Sequence, residues 1–292
     1  MQYIWLRAIR IRFLLASVIA VSNGLAIAYW KTGTIDALSA GLTYIGVVFL
    51  HASVDLLNDY WDHKRGIDGV TTRTKFSGGT GVLPEKLLTP RAVYVAGLIF
   101  LILGASIGAY FVAMRGITIA IILAFAVVSI YFYSTSIVNA GLGELFVAIK
   151  GAMIVLGTFY VQSIAIEPAA LYVGAIVGIL SATVLFVNSF PDFEADRSRG
   201  RRTLVILLGR KLAARTFPLF VIAAYVMIIA GIFLGFTKIY SLVSLASIPF
   251  AAKSIMSLTN DQQDFRRLVP AMASAVTYSR ITGFLLALSL IF

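Results

Sequence analysis

A chain of 292 residues that is 60% hydrophobic and only 13% charged, with a mean hydropathy of +0.93, cannot bury its apolar surface inside one water-soluble globule. The absence of cysteine excludes disulfides and thiolate metal centres. The formal charge of +11 would point to nucleic acid, but its basic residues lie in loops between apolar runs, which favours anionic headgroups and phosphorylated substrates instead.

No stretch alternates apolar and polar residues with regular turns, as a membrane barrel requires, so the spanning elements are helices. Nine spans of roughly twenty residues, each enough for about 30 Å of hydrocarbon, are expected at 13–30, 38–57, 92–113, 117–138, 143–164, 169–190, 216–235, 239–258 and 271–291. The expected fold is all-α: one polytopic membrane domain over 1–292. At the N-terminus, Arg7, Arg10 and Arg12, an apolar run and then Ala26-Ile27-Ala28 mimic a cleavable signal peptide. The run continues to Trp30, and this favours a retained helix.

Placing the N-terminus in the cytoplasm puts nineteen of the 24 basic residues on the inner side, Arg266 and Arg267 among them. Only Lys31, Arg115 and Lys238 fall outside, while Lys150 and Arg280 stay within spans. Two inner connections, 63–91 and 191–215, are long for a compact protein, and such loops are usually functional or disordered. The first carries Gly78-Gly79-Thr80-Gly81, whose backbone could approach an anion closely.

Both long loops follow an acidic stretch. Leu57-Asn58-Asp59-Tyr60-Trp61-Asp62 ends the second span, and Asn188-Ser189-Phe190-Pro191-Asp192-Phe193-Glu194-Ala195-Asp196 ends the sixth. At an offset of 130 residues Asn58 falls on Asn188 and Asp62 on Asp192, which suggests a parallel repeat of about 1–138 and 139–258 with a ninth helix left over. On helices, Asp55, Asp59 and Asp62 should share a stripe with His51 a turn deeper, and Asp192 and Asp196 a second stripe.

Unpaired, such carboxylates repel and raise one another's pKa values. A divalent cation removes that conflict, and Mg2+ suits an oxygen-only set that leaves positions for phosphate. Nearby Arg65, Arg73, Lys75, Arg197 and Arg201 would then meet a diphosphate. The alternative is that the acids merely pair with Arg65 and Arg197–Arg202 as a solvated network at the helix ends.

Asn58-Asp59-Tyr60-Trp61-Asp62 followed by Gly66-Ile67-Asp68, together with Asp192-Phe193-Glu194-Ala195-Asp196 and Gly200-Arg201-Arg202-Thr203-Leu204, resembles the paired aspartate-rich motifs of the UbiA superfamily of intramembrane prenyltransferases. Gly141–Val147 and Gly157–Gln162 resemble its 1,4-dihydroxy-2-naphthoate polyprenyltransferase branch. The resemblance implies nine helices around a central cavity and a cytoplasmic cap formed by the loops after helices 2 and 6. It also implies Mg2+-dependent transfer, with two ions, of a polyprenyl group from an isoprenyl diphosphate to an aromatic acceptor, 1,4-dihydroxy-2-naphthoate in menaquinone synthesis or, since the motifs bind the donor, 4-hydroxybenzoate or a glycerophosphate lipid by the same chemistry. Asn58, Asp62, Asp192 and Asp196 would hold the metal, with Asp59 added to that set and Asp68 in support.

Other polar residues within spans are candidates for the same cavity. Tyr131, Phe132 and Tyr133 could present aromatic faces to an allylic cation, although aromatics also anchor helices at interfaces. Lys150, about 12 Å into span five, could snorkel, pair with Glu144 or reach the diphosphate. Asn23 and Asn188 could line the substrate site, with an interhelical hydrogen bond the alternative for Asn23. His51 is more readily a structural histidine than a base. A carrier would also use intramembrane acids, but near the bilayer midplane rather than at span ends beside basic loops.

Overall fold

Helices let apolar segments satisfy every backbone group without water, and the described residues contain helices and loops with no strand. The computed structural model describes residues 2–260 and 265–292; the side chains of residues 260–266, that of Arg266 from the charge count included, lie outside the described residues. A short α1 (Gln2–Ala8) precedes α2 (Ile11–Thr32), α3 (Ala37–Lys64), α4 (Pro90–Arg115), α5 (Ile117–Phe132), α6 (Gly143–Ser163) and α7 (Pro168–Asn188). Then come the short α8 (Phe193–Ser198) and α9 (Leu204–Leu208), α10 (Arg210–Phe233), α11 (Ile248–Asn260) and α12 (Phe265–Ile291). Among the described residues nine segments are long and apolar enough to cross a membrane, and they match the nine expected spans one for one.

The differences lie at the ends. Asp36 caps α3 by accepting from the backbone N–H of Leu38 and Ser39, while Thr89 caps α4 ahead of Pro90. At its other end α3 runs to Lys64, seven residues past the expected 57. Its polar final turns are covered by protein, Asp59 and Asp62 both being buried, so the helix continues where the hydropathy does not. Span four ends in a π-turn, Tyr133–Ile137, and a 3-10 turn, Val138–Ala140. Span eight opens as a 3-10 helix, Ile239–Ser247.

In chain order the spanning helices pack as neighbours around a ring, which α12 closes against α2. Helix α2 also packs on α6 and α7, and the main core lies on that side. Small residues set the closest approach: a Cβ at Gly178 of α7 would lie 2.2 Å from the Ala148 carbonyl oxygen of α6. Interhelical packing in membranes depends on such backbone proximity. Gly178→Ala should therefore push α6 and α7 apart and cost about 1–3 kcal/mol, lowering the melting temperature in detergent. Gly41→Ala on α3, whose added methyl would meet no atom within 4 Å, should leave it unchanged.

Candidate active site

A cavity of about 410 Å³ opens between α2, α3, α4, α5, α6 and α7, a volume typical of small-molecule sites. At about 100° per residue, His51, Asp55, Asn58 and Asp62 fall within about 60° of arc on α3, and all four line it. Asp59 sits about 70° from the centre of that arc. Its carboxylate turns toward the N-terminal segment, where it takes Arg10 at 2.5 Å and the Thr80 hydroxyl. The expected single stripe of Asp55, Asp59 and Asp62 is therefore corrected: Asp59 ties the Arg10 corner ahead of α2 and the 66–89 loop to α3 and does not face the cavity.

The opposite wall carries Asn188 at the end of α7, Asp192 just beyond it and Asp196 on α8. The two walls meet at one guanidinium. Arg201 donates to Asp62 at 2.5 Å, to Asp196 at 3.3 Å and to the Asn58 Oδ1 at 3.3 Å. Asn58 in turn donates to Asp62 at 2.9 Å and accepts from Ser134 at 2.8 Å. Burial alone would lower the Arg201 pKa, but Asp62 and then Asp196 outweigh it and hold the group above its ordinary value. Burial raises Asp196, and Arg201 offsets only part of that rise.

Asp192 lies beyond that ion pair. Its Oδ2 accepts the Gly78 N–H at 3.2 Å, joining the two long loops over the polar end of the cavity. Its Oδ1, like the Asn188 Oδ1, is buried without a hydrogen-bond partner. Burial, then the charge of Asp196, pushes the Asp192 carboxyl up to about 7. Asp68 also reaches about 7, through burial and then Asp59. Among the described residues no three of His, Cys, Asp or Glu gather as a preformed metal cage. Orphaned hard oxygens beside Asp62 and Asp196 fit a cation that takes its remaining ligands from a phosphorylated substrate.

Several candidates lie elsewhere. Tyr131 and Phe132 are exposed, and their rings meet edge-on at 5.2 Å between centroids. The π-turn reorients the chain just after them, so Tyr133 alone of the three lines the cavity and Ser134 reaches Asn58. Asn23 is fully buried away from the cavity, donating to the Ile19 and Gly283 carbonyls, the interhelical alternative. Arg65 turns to Asn139 and Thr135, Arg73 pairs with Glu85, and Lys75 and Arg197 are exposed to solvent. Lys150 lines the cavity and makes no ion pair with Glu144 or any other described residue. Arg10 and the Ser77-Gly78-Gly79 turn line it too. Nothing local in the sequence marks Arg10, whereas the positive φ of Gly78 and Gly79, 81° and 72°, is the freedom expected of that glycine cluster.

Similarity to known proteins agrees with this geometry. The 1,4-dihydroxy-2-naphthoate octaprenyltransferase of Bacillus subtilis is 24% identical over 99% of this chain and 92% of its own length. The 2-carboxy-1,4-naphthoquinone phytyltransferase of Synechocystis is 25% identical over 97% and 92%. A UbiA homolog from Archaeoglobus fulgidus, solved bound to GPP and Mg2+, shares the fold with a TM-score of 0.65 at 15% identity, covering 99% of each chain. The profile of the UbiA prenyltransferase family matches residues 16–288, nearly the whole of the chain. With its nine spans and its two acidic motifs meeting at one end of a cavity, the chain belongs to the UbiA prenyltransferase family.

Proposed function

We propose that this prenyltransferase moves a polyprenyl group from an isoprenyl diphosphate to the ring of 1,4-dihydroxy-2-naphthoate, with the acidic end of its cavity and its N-terminus at the cytoplasmic face of the cell membrane. The observation that carries the reading is the convergence of Asp62 and Asp196, which share Arg201 although they stand 134 positions apart in the chain (196 − 62). The naphthoate acceptor is supported by the names of the two relatives above, and the donor by the GPP-bound homolog. The orientation is supported by the nineteen-to-three distribution of basic residues.

Asp62, Asp192, Asp196, Asn58 and Asn188 would hold two Mg2+ ions, which when bound supply the positive charge that stabilises a leaving diphosphate. The chain's own residues do the rest. Arg201 offers its cation to the phosphate oxygens and is already aimed at that point by its two carboxylates. Gly78 and Gly79 bring backbone close to the same end, where a side chain would collide. The Tyr133 ring lines the cavity, an aromatic neighbour that can stabilise an allylic cation as its C–O bond breaks. Apolar walls, Phe13, Phe111, Ile122 and Leu123 among them, exclude water that would otherwise capture that cation. The ring carbon of the acceptor forms the new bond, and its substituent leaves as a proton or as carbon dioxide.

Asp192→Ala removes an unpartnered carboxylate oxygen and breaks no ion pair, so the variant should insert and fold normally while turnover of geranylgeranyl diphosphate with dihydroxynaphthoate and Mg2+ falls at least about 100-fold. Diphosphate release at the wild-type rate by this variant and by Asp62→Ala would defeat the assignment.

A second expectation follows from the raised carboxyls. With native values about 7 for Asp192 and Asp68 against an ordinary 3.8, the folded protein keeps protons that the unfolded chain has lost between those pH values. Metal-free stability therefore falls as pH rises through that window and levels off above about 7. A metal needs the bare carboxylates, so the rise in melting temperature on adding Mg2+ should be larger at about pH 8 than at about pH 6. An equal rise at both would count against a metal at Asp192.

A further inference from the structure

Below the acidic end, the cavity holds a second polar group that the diphosphate chemistry leaves unused. Asp55 lies seven residues before Asp62 on the same face of α3, about 10 Å deeper, and His51 about one turn deeper again. The His51 Nδ1 is held by the Ser17 hydroxyl of α2 at 2.7 Å. Its Nε2 faces the Asp55 Oδ2 across 3.8 Å, too far for a hydrogen bond. That Oδ2 is buried and has no hydrogen-bond partner. Lys150 and Arg10 stand near enough to act on it electrostatically, yet neither comes within ion-pair distance.

An unsatisfied carboxylate oxygen among apolar walls is unfavourable unless something docks on it. What fits follows from the two atoms on offer. In the tautomer in which the Ser17 hydroxyl donates to Nδ1, the imidazole carries its hydrogen on Nε2, and the pair then presents one donor and one acceptor side by side. Their complement is a hydroxyl group, which donates to Asp55 and accepts from His51. A carboxylate or phosphate, with acceptors only, would be repelled by Asp55.

The depth also fits. A diphosphate anchored at the level of Asp62 directs its ester oxygen and C1 into the cavity, toward Asp55. An aromatic ring whose hydroxyl is fixed there stands beside the reacting carbon. A hydroxyl hydrogen-bonded to a carboxylate releases electron density to the ring carbons ortho and para to it, the positions open to a carbocation.

We propose that Ser17, His51 and Asp55 form the acceptor-recognition site, which takes a ring hydroxyl of the aromatic substrate and thereby selects phenolic acceptors and orients them to C1. This rests on the prenyltransferase reading above and adds where the acceptor sits.

The test measures steady-state kinetics with geranylgeranyl diphosphate, Mg2+ and dihydroxynaphthoate, and with the analogues in which one or the other hydroxyl is a methyl ether, for the wild type, Asp55→Asn and Ser17→Ala. A hydrogen bond to a charged group predicts that Asp55→Asn lowers kcat/KM for the acceptor about 10- to 100-fold. The donor KM should not move. One of the methyl ethers should cost the wild type a similar factor and cost Asp55→Asn nothing further, because the contact is already gone. Ser17→Ala, which frees the imidazole without touching the carboxylate, should weaken the acceptor in the same sense but less.

Donor KM rising in step with acceptor KM would overturn the proposal, as would methyl-ether penalties that are the same in wild type and Asp55→Asn. Those results leave the prenyl-transfer reading standing. A wild type that turns over no aromatic acceptor would overturn both.

Discussion

One guanidinium holds the polar end of this membrane bundle together. Asp62 comes from a helix that crosses the membrane early in the chain and Asp196 from a short helix after span six, and without a cation between them they would repel in a buried site. Arg201 lies five residues beyond Asp196, close enough along the chain to turn back onto it and far enough to reach Asp62 as well. The charge count is unbalanced even so. Asp192 retains a raised carboxyl and an unpartnered oxygen, and Asn188 a bare carbonyl, so one arginine satisfies only part of the acidic wall. The alternative of a solvated network is right that Asp62 and Asp196 pair with an arginine but not that they are solvated, since both are buried, and it fails for Asp192 and Asn188. A buried ion pair of this kind is weak evidence for stability in itself, because desolvation offsets most of the attraction. Its value lies in fixing where two loops meet.

Those loops depend on the same end of the bundle through a second set of bonds. Asp59, rotated off the cavity face, collects Arg10 from the N-terminal segment and Thr80 from the 66–89 loop. Arg10 itself has a left-handed backbone, φ 47°, at the corner between α1 and α2, a conformation disfavoured for a residue with a side chain. The ion pair with Asp59 compensates for that corner. Aspartates of one motif thereby divide the work: Asp62 faces the cavity while Asp59 secures the N-terminal segment and the 66–89 loop.

The nine spans, the two acidic motifs and the family are legible in the sequence because each depends on a local signal: a run of about twenty apolar residues, or a carboxylate cluster where such a run meets a basic loop. Helix ends are less so. Hydropathy reports contact with lipid, and α3 continues to Lys64 because its last turns are buried in protein. Side-chain direction is the least legible. Asp59 leaves the cavity because a four-residue step from Asp55 turns it about 40° one way, while the three-residue step on to Asp62 turns back about 60°. Tyr131 faces outward for another reason: the π-turn beginning at Tyr133 has no signature in the sequence, and it decides which of three consecutive aromatics turns inward. Placing Asn23, fully buried between α2 and α12, needs the identity of its neighbour, Gly283, 260 residues away.

Depth separates the tasks along α3. The four residues that face the cavity, His51, Asp55, Asn58 and Asp62, descend about 16 Å from the acidic end into the apolar interior. At the top, carboxylates meet an arginine and a glycine turn, a setting for phosphate and hard cations. At the bottom, imidazole and carboxylate stand 3.8 Å apart with no charge neutralised between them, a setting for a neutral polar group. A transport site would want these polar groups together near the midplane, on broken helices. Here α3 is continuous from Ala37 to Lys64, so the spacing between the two polar levels is set by a rigid helical rise rather than by a movable loop. A reaction joining a phosphorylated lipid to an aromatic ring needs its partners held at a fixed separation, and an unbroken helix that carries both polar levels on one face offers that separation.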